Sequence, residues 1–272
     1  AGVKQTKYSS TVKMINQLIA SIYNELDWMI NEAVFSDADR AFFYSVNSDM
    51  SDAVAALSLH NLCSWMYKYY GKKVLIFLDE YDTPLQEAYV NGFWDEIVAY
   101  TRALFNNTFK TNPSMERAIM TGITRVSKES ILSDLNNLEV VTTTTEKYET
   151  AFGFTEEELF AALDEQGFSE KDKENVKLWY DGFTFGNVSG IYNPWSMINY
   201  LDKHKFAAYW ANTSSNGLVG TLLRKGSPEV KMKFETLLQG GCLEEVIDEQ
   251  IIFNQLDKKE SAIWSLLLAS EY

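Results

Sequence analysis

The 272-residue sequence is poor in the residues that most metal, thiol and nucleophile chemistry requires. It has two cysteines and two histidines. Cys63 and Cys242 lie far apart without metal-ligand spacing, which excludes a zinc knuckle or finger. Thiols placed this way are expected to be free, buried and kept reduced. His60 falls near the polar side of a helical stretch, and His204 follows a helix among lysines. Neither has a metal or triad companion, so both are expected in structural or surface roles. No Gly-x-Ser-x-Gly elbow occurs, which leaves serine-hydrolase chemistry unsupported. No apolar run approaches the ~20 residues that span a bilayer, and no signal-peptide pattern is present. A cytoplasmic protein is therefore expected. Positive charge is also scarce, with 24 Lys+Arg against 38 Asp+Glu and a formal net charge of −14. Such a chain lacks the cationic surface that releases counterions from phosphate, so direct binding to nucleic acid or to an anionic membrane is not expected. The short runs Lys231–Lys233 and Lys258–Lys259 read as solvated faces.

Core-forming residues are abundant. Hydrophobic residues make up 46% of the chain and aromatics 14%, so disorder is not expected. Ser9 to Leu26 has helical spacing, with Val12, Ile15, Leu18, Ile19, Ile22 and Leu26 on one face. A second helix is expected from Asp52 to Tyr69, with Val54, Leu57, Leu62, Trp65, Met66 and Tyr69 inward, stopped by Gly71. Val74 to Leu78 is a five-residue apolar run between breakers, the pattern of a central parallel strand covered on both faces. A helix from Gly92 to Phe109 and a strand from Arg117 to Thr121 follow. This alternation implies a doubly wound parallel sheet, with ligands beyond the carboxyl ends of its strands. After about Thr150 the pattern turns helical. Thr155–Glu158 is a capping box, Ser169 opens a helix with Val176, Trp179 and Tyr180, and Asn193-Pro194 is an N-cap with a first-turn proline. Helical stretches at Asn216–Leu223 and Val230–Leu238 follow, with one short strand at Gln250–Phe253. Asp181-Gly182 reads as a turn. No internal repeat or low-complexity segment occurs.

The first strand ends in acid: VLIFLDEYDTPL places Asp79 and Glu80 at its tip and Asp82 just beyond. Nucleoside triphosphate hydrolysis needs a carboxylate to hold Mg²⁺ or its water and a second to take a proton from, or orient, the attacking water. Thr121, at the tip of the next strand, stands where a γ-phosphate would be sensed. Arg125 follows closely and can offer charge to a developing phosphate anion, or form an ordinary salt bridge to Asp82 or Glu80. The bland alternative for the acidic pair is a strand that simply ends in solvent. A phosphate-cradling GxxxxGK[ST] loop occurs nowhere in these residues. Gly71-Lys72-Lys73 is a helix-to-strand turn, and Gly220–Lys225 has no second glycine before its lysine.

In order along the chain stand VLIFLDEYDTPL, AIMTGITRVSKESILSDLNNLEV, FGFTEEEL, WYDGFTFG, YNPWSMINYL and YWANTSSN. This series resembles the AAA-ATPase-like family of predicted bacterial ATPases. Members usually begin with a P-loop segment and often end in a PD-(D/E)XK nuclease-like domain. The resemblance implies that the chain begins after the P-loop unit and ends before the nuclease-like domain. It implies an α/β fold: an incomplete P-loop NTPase-type parallel sheet over residues 1–150, followed by a mainly helical, lid-like domain over 151–272. It matches Asp79 (metal) and Glu80 to the family's acidic pair, Thr121 to the polar strand tip and Arg125 to the arginine of TGxxRVSKxS. Asp82, Asn136 and Asn137 also fall on motif positions, Asp82 with cofactor binding expected.

The expected cofactors are Mg²⁺ and ATP in the intact parent, bound poorly by this chain alone. The expected partners are ATP and either a homo-oligomer or another protein. Two other classes stand beside the ATPase. One is a non-catalytic protein-interaction module, which the missing loop favours. The other is a metal-dependent hydrolase on Asp79, Glu80 and Asp82, for which three carboxylates on one short turn rarely suffice. WYDGF and YNPW read as turns and core packing, or as a lid touching nucleotide or partner. Ser214, Ser215 and Asn216 can bond there or cap the next helix.

Overall fold

Two parallel strands joined through a pair of helices organise the first half of the chain. A computed structural model describes residues 2–122, 135, 138–210, 217–247 and 260–269. By internal packing the chain divides into one compact unit of Ala1–Leu138 with Leu222–Leu266 and a second of Glu139–Thr221 with Leu267–Tyr272.

In the first unit, helices α1 (Tyr8–Glu25), α2 (Asp27–Ile30), α3 (Asp37–Ser45) and α4 (Asp52–Tyr70) lead into strand β1 (Val74–Leu78). Helices α5 (Thr83–Asn91) and α6 (Trp94–Phe109) then return the chain to β2 (Met115–Met120). β1 and β2 pair in parallel, from Val74 opposite Met115 to Leu78 opposite Met120. Gly71, left-handed at φ 65°, ends α4 three residues before β1, a conformation that glycine adopts without a Cβ penalty. Helices α4 and α6 pack on each other, and α4 also contacts β1.

The helical periods are as expected, but the buried faces are rotated. On α1 the buried residues are Thr11, Asn16, Ile19 and Tyr23, while Leu18 and Ile22 are exposed. Asn16 and Tyr23 are inside because their polar groups are satisfied there. Tyr100 donates to Asn16 Oδ1 at 2.6 Å, and Tyr23 donates to the Ser58 carbonyl at 2.6 Å. A buried polar group with a partner avoids the desolvation penalty that would otherwise expel it. On α4 the residues inside are Ala55, Ser58, Leu62, Cys63 and Trp65, and Leu57 and Tyr69 face out. Trp65 and Phe43 close over Tyr23, with ring centroids 6.2 and 4.8 Å away.

Strand β1 departs from expectation. Val74, Ile76 and Leu78 are partly buried, whereas Leu75 is 54% and Phe77 71% exposed. Among the described residues β1 pairs with β2 alone. One face is covered and the other carries Leu75, Phe77 and, from β2, the exposed Ile119.

In the second unit, β3 (Phe154–Thr155), β5 (Val188–Tyr192) and β4 (Asp181–Phe185) form an antiparallel sheet in that order. Helices α7 (Glu156–Glu165), α8 (Glu170–Tyr180) and α9 (Pro194–Lys203) accompany it. Leu159, Leu163, Val176, Tyr192, Met197 and Tyr200 form its core. The expected caps are all present: the Thr155–Glu158 box, the reciprocal Ser169–Asp172 bonds, and Asn193 accepting from Ser196 N–H at 3.1 Å. The expected turn at Asp181-Gly182 is instead the start of β4. The reversal lies at Gly186-Asn187, between Phe185 and its cross-strand partner Val188. Gly186, at φ 54°, supplies the positive dihedral that a two-residue hairpin demands.

Helices α10 (Gly217–Lys225), α11 (Pro228–Leu238) and α12 (Ser261–Ala269) complete the described structure. In α12 Ile263, Trp264, Leu266 and Leu267 are buried. Gln250–Phe253 lies outside the described residues. Of the thiols, Cys63 is buried as expected, but Cys242 is exposed, and both are free. His60 Nδ1 lies 3.0 Å from the Asn107 carbonyl, and His204 caps α9 against the Phe168 ring.

Candidate functional site

The carboxyl end of the β1–β2 pair is where the acidic residues gather. The ladder continues one step beyond the strands: Thr121 N–H donates to the Leu78 carbonyl at 2.9 Å, and Tyr81 N–H donates to the Thr121 carbonyl at 3.0 Å. These bonds bracket Asp79 and Glu80. Between them the chain leaves the strand through Glu80, whose φ is 52°. A non-glycine residue in the left-handed region costs about 1–2 kcal/mol. Such strain persists only where the surroundings fix it, and it is enriched at functional sites.

Thr121 and Asp79 meet across the strand tips, the Thr121 hydroxyl donating to Asp79 Oδ1. Both residues are exposed, as is Glu80. One Glu80 oxygen, Oε2, accepts the Gly2 backbone N–H at 3.2 Å. Asp82 differs from its neighbours: it is 1% exposed, and Gln86 Nε2 donates to its Oδ2 at 2.9 Å. Helix α5 begins one residue later, with Pro84 in its first turn. The unpaired amides of that first turn favour negative charge nearby, which helps the chain tolerate three carboxylates in four positions.

Four of the sequence-predicted residues therefore converge: Asp79, Glu80, Asp82 and Thr121. Arg125, Asn136, Asn137 and Ser214–Asn216 lie outside the described residues. The sequence reading missed Gln86 and Gly122, both of which touch Asp82. The signal for Gln86 was its spacing, four residues on from Asp82 at the start of a helix. Gly122 had no local signal, because its role depends on the chain passing close to another segment.

A hard divalent cation such as Mg²⁺ takes oxygen ligands, usually one or two carboxylates with the remainder from water and phosphate. Asp79, exposed and steadied by Thr121, is a donor of that kind, and Glu80 stands beside it. Among the described residues no group of three or more His, Cys, Asp or Glu side chains is placed to hold a metal ion. A cation here would draw most of its ligands from phosphate and water. Also among the described residues, no helix is long and apolar enough to cross a membrane.

Comparison with known proteins agrees with the sequence resemblance. Residues 2–132 match the family described as predicted AAA-ATPase, a segment that contains all five candidate site residues. An uncharacterized protein in the vnfD 5′region of Azotobacter chroococcum mcd 1 is 25% identical over 189 residues, covering 67% of this chain and 36% of the relative. The chain thus spans little more than a third of that relative's length. No solved structure gives a significant match.

Proposed function

We propose that this chain, whose residues 2–132 belong to the AAA-ATPase-like family, carries the metal- and water-handling half of an ATP-hydrolysing site. The observation that supports this most directly is the Thr121–Asp79 hydrogen bond beside an exposed, backbone-strained Glu80. Asp79 would hold Mg²⁺ or one of its waters, and Thr121 fixes the rotation of that carboxylate at the strand tip where a γ-phosphate would be sensed. Glu80 orients the attacking water and accepts its proton. When bound, Mg²⁺ supplies charge to the phosphates. Arg125 belongs to the same motif as Thr121 and would offset charge that develops on the transferred phosphoryl group.

The phosphate-binding loop is absent from these 272 residues. In this reading a segment outside them supplies it, and the β1–β2 pair is part of a larger P-loop NTPase-type sheet. The open apolar face of Leu75, Phe77 and Ile119 supports that view, since parallel sheets are normally covered on both faces. The unit built on β3–β5–β4 then serves as the lid-like domain, and ATP turnover in the parent controls a nuclease-like domain. Loop amides provide most phosphate contacts in such sites, so this chain alone binds ATP poorly.

Calorimetry tests this reading: tight binding of Mg·ATP to the isolated chain would sink it. In the full-length protein Glu80→Gln should abolish turnover and keep ATP binding. The second reading, an interaction module or homo-oligomer in which nucleotide plays little part, is favoured by the same open apolar face. It wins if the full-length protein neither binds nor hydrolyses ATP.

A further inference from the structure

We propose that Asp82 and Gly122 form a packed lock that positions Asp79 and Glu80, Asp82 acting through the backbone and not by touching metal or nucleotide. This rests on the hydrolase reading above. Asp82 opens α5, yet its side chain makes no capping bond to that helix. The carboxylate bonds a side chain of that helix and not its backbone amides. Oδ2 accepts from Gln86 Nε2 at 2.9 Å, and the Asp82 carbonyl accepts from Leu85 N–H at 3.0 Å and Gln86 N–H at 2.9 Å. The residue is thus held by the first turn of α5 at both its side chain and its main chain.

Gly122 holds it from the other side. A Cβ at position 122 would lie 2.6 Å from Asp82 Oδ1, 2.8 Å from its Cγ and 2.9 Å from Tyr81 Cε1. The first two of these atoms belong to a side chain only 1% exposed, which has no room to step back. The chain leaving β2 therefore passes over Asp82 at a separation only glycine permits. The lock lies directly after the left-handed Glu80. The Tyr81–Thr121 backbone bond and a bond from Thr83 N–H to the Glu80 carbonyl at 3.2 Å tie the same turn. With both ends fastened, Glu80 cannot relax to a right-handed conformation, and its carboxylate leaves the strand end in one direction. Both Asp82 oxygens are already engaged, Oδ2 by Gln86 and Oδ1 by the close pass of Gly122, so the side chain serves as a rigid wedge.

The test uses the full-length protein for kinetics and this chain for stability. Asp82→Asn keeps the shape and an oxygen for Gln86, so kcat should stay within about threefold of wild type. Asp82→Ala and Gly122→Ala should each lower kcat about tenfold or more and leave KM for Mg·ATP within about twofold, because a small misplacement of catalytic groups acts on turnover. If Asp82→Ala fails to fold, Gln86→Leu removes the same hydrogen bond and should show the same kcat-selective loss. In urea melts, the penalty of Gly122→Ala should shrink when Asp82 is already alanine, since contacting residues are coupled. A loss in Asp82→Asn equal to that in Asp82→Ala would assign the role to charge and overturn the lock. Additive urea effects, or an unaltered kcat in Asp82→Ala or, where that fails to fold, in Gln86→Leu, would overturn it too. A wild type without ATPase activity overturns the hydrolase reading and this role with it. An active wild type with an indifferent position 82 overturns the positioning role alone.

Discussion

The Thr121 hydroxyl donates to Asp79 Oδ1 and so joins the tips of two parallel strands through residues 42 positions apart in sequence. Replacing Thr121 with valine keeps the shape and removes the donor. Both partners are exposed, so the folded chain should lose less than about 0.5 kcal/mol in a urea melt. On the proposed hydrolase reading, kcat of the full-length protein should by contrast fall about 10- to 100-fold, because a positioned group loses its orientation. A Thr121→Val variant with undiminished turnover would remove this bond from the mechanism.

Tyr23 is 1% exposed and donates to the Ser58 carbonyl at 2.6 Å. Burial also pushes its phenol well above the usual tyrosine range. Tyr23→Phe should cost about 1–2 kcal/mol, the typical loss for a buried hydrogen bond whose acceptor stays behind. Urea denaturation of the two proteins gives the difference directly.

Stability should fall on the acid side. Lys177, which donates to Glu156 at 2.6 Å, holds that carboxyl below its ordinary value, with further help from Tyr192. The Ser36 backbone N–H does the same for Asp39, aided by the Ser36 and Trp65 side chains and by Lys68. A carboxyl lowered in the folded state binds protons more readily when unfolded. Its contribution is complete above the unfolded value and is lost as pH falls through the folded one. Melting temperature should thus be level above about pH 5 and drop below about pH 4. Lys177→Met should flatten part of that acid limb, and an unchanged limb would refute the Glu156 assignment.

The two thiols should react at different rates. Cys63 is 4% exposed and burial raises its thiol, whereas Cys242 is exposed. A chromogenic disulfide should titrate one thiol rapidly in the native chain and the second only on unfolding, since the thiolate is the reactive form. Cys242→Ser should remove the fast phase alone.

Much of this architecture is legible in the residues, and the parts that are not share a cause. Capping signals at Thr155, Ser169 and Asn193 are local, and each appears where the sequence places it. Strand β1 and its acidic end are legible because five apolar residues between breakers admit few alternatives. The rotation of α1 is not, because Asn16 and Tyr23 are held in the core by distant partners such as Tyr100 and Ser58, 84 and 35 positions away. The hairpin β4–β5 hides behind an Asp-Gly pair that looks like a turn, while the working turn, Gly186-Asn187, lies five residues on. Within the site, Asp79, Glu80 and Thr121 announce themselves as polar residues at strand tips. The burial of Asp82 does not, because it depends on Gly122 crossing above it.

Phe77 is 71% exposed on a strand that, among the described residues, pairs with β2 alone, and this bears on how the chain should behave in the test tube. A strand with unsatisfied backbone donors and acceptors along one edge is a template for other chains, and an aromatic face beside it adds adhesion. Two strands alone are a marginal sheet. Self-pairing of the isolated chain through β1 should therefore grow with concentration, which sedimentation velocity would register. A charged residue at position 77 acts as a gatekeeper against that pairing.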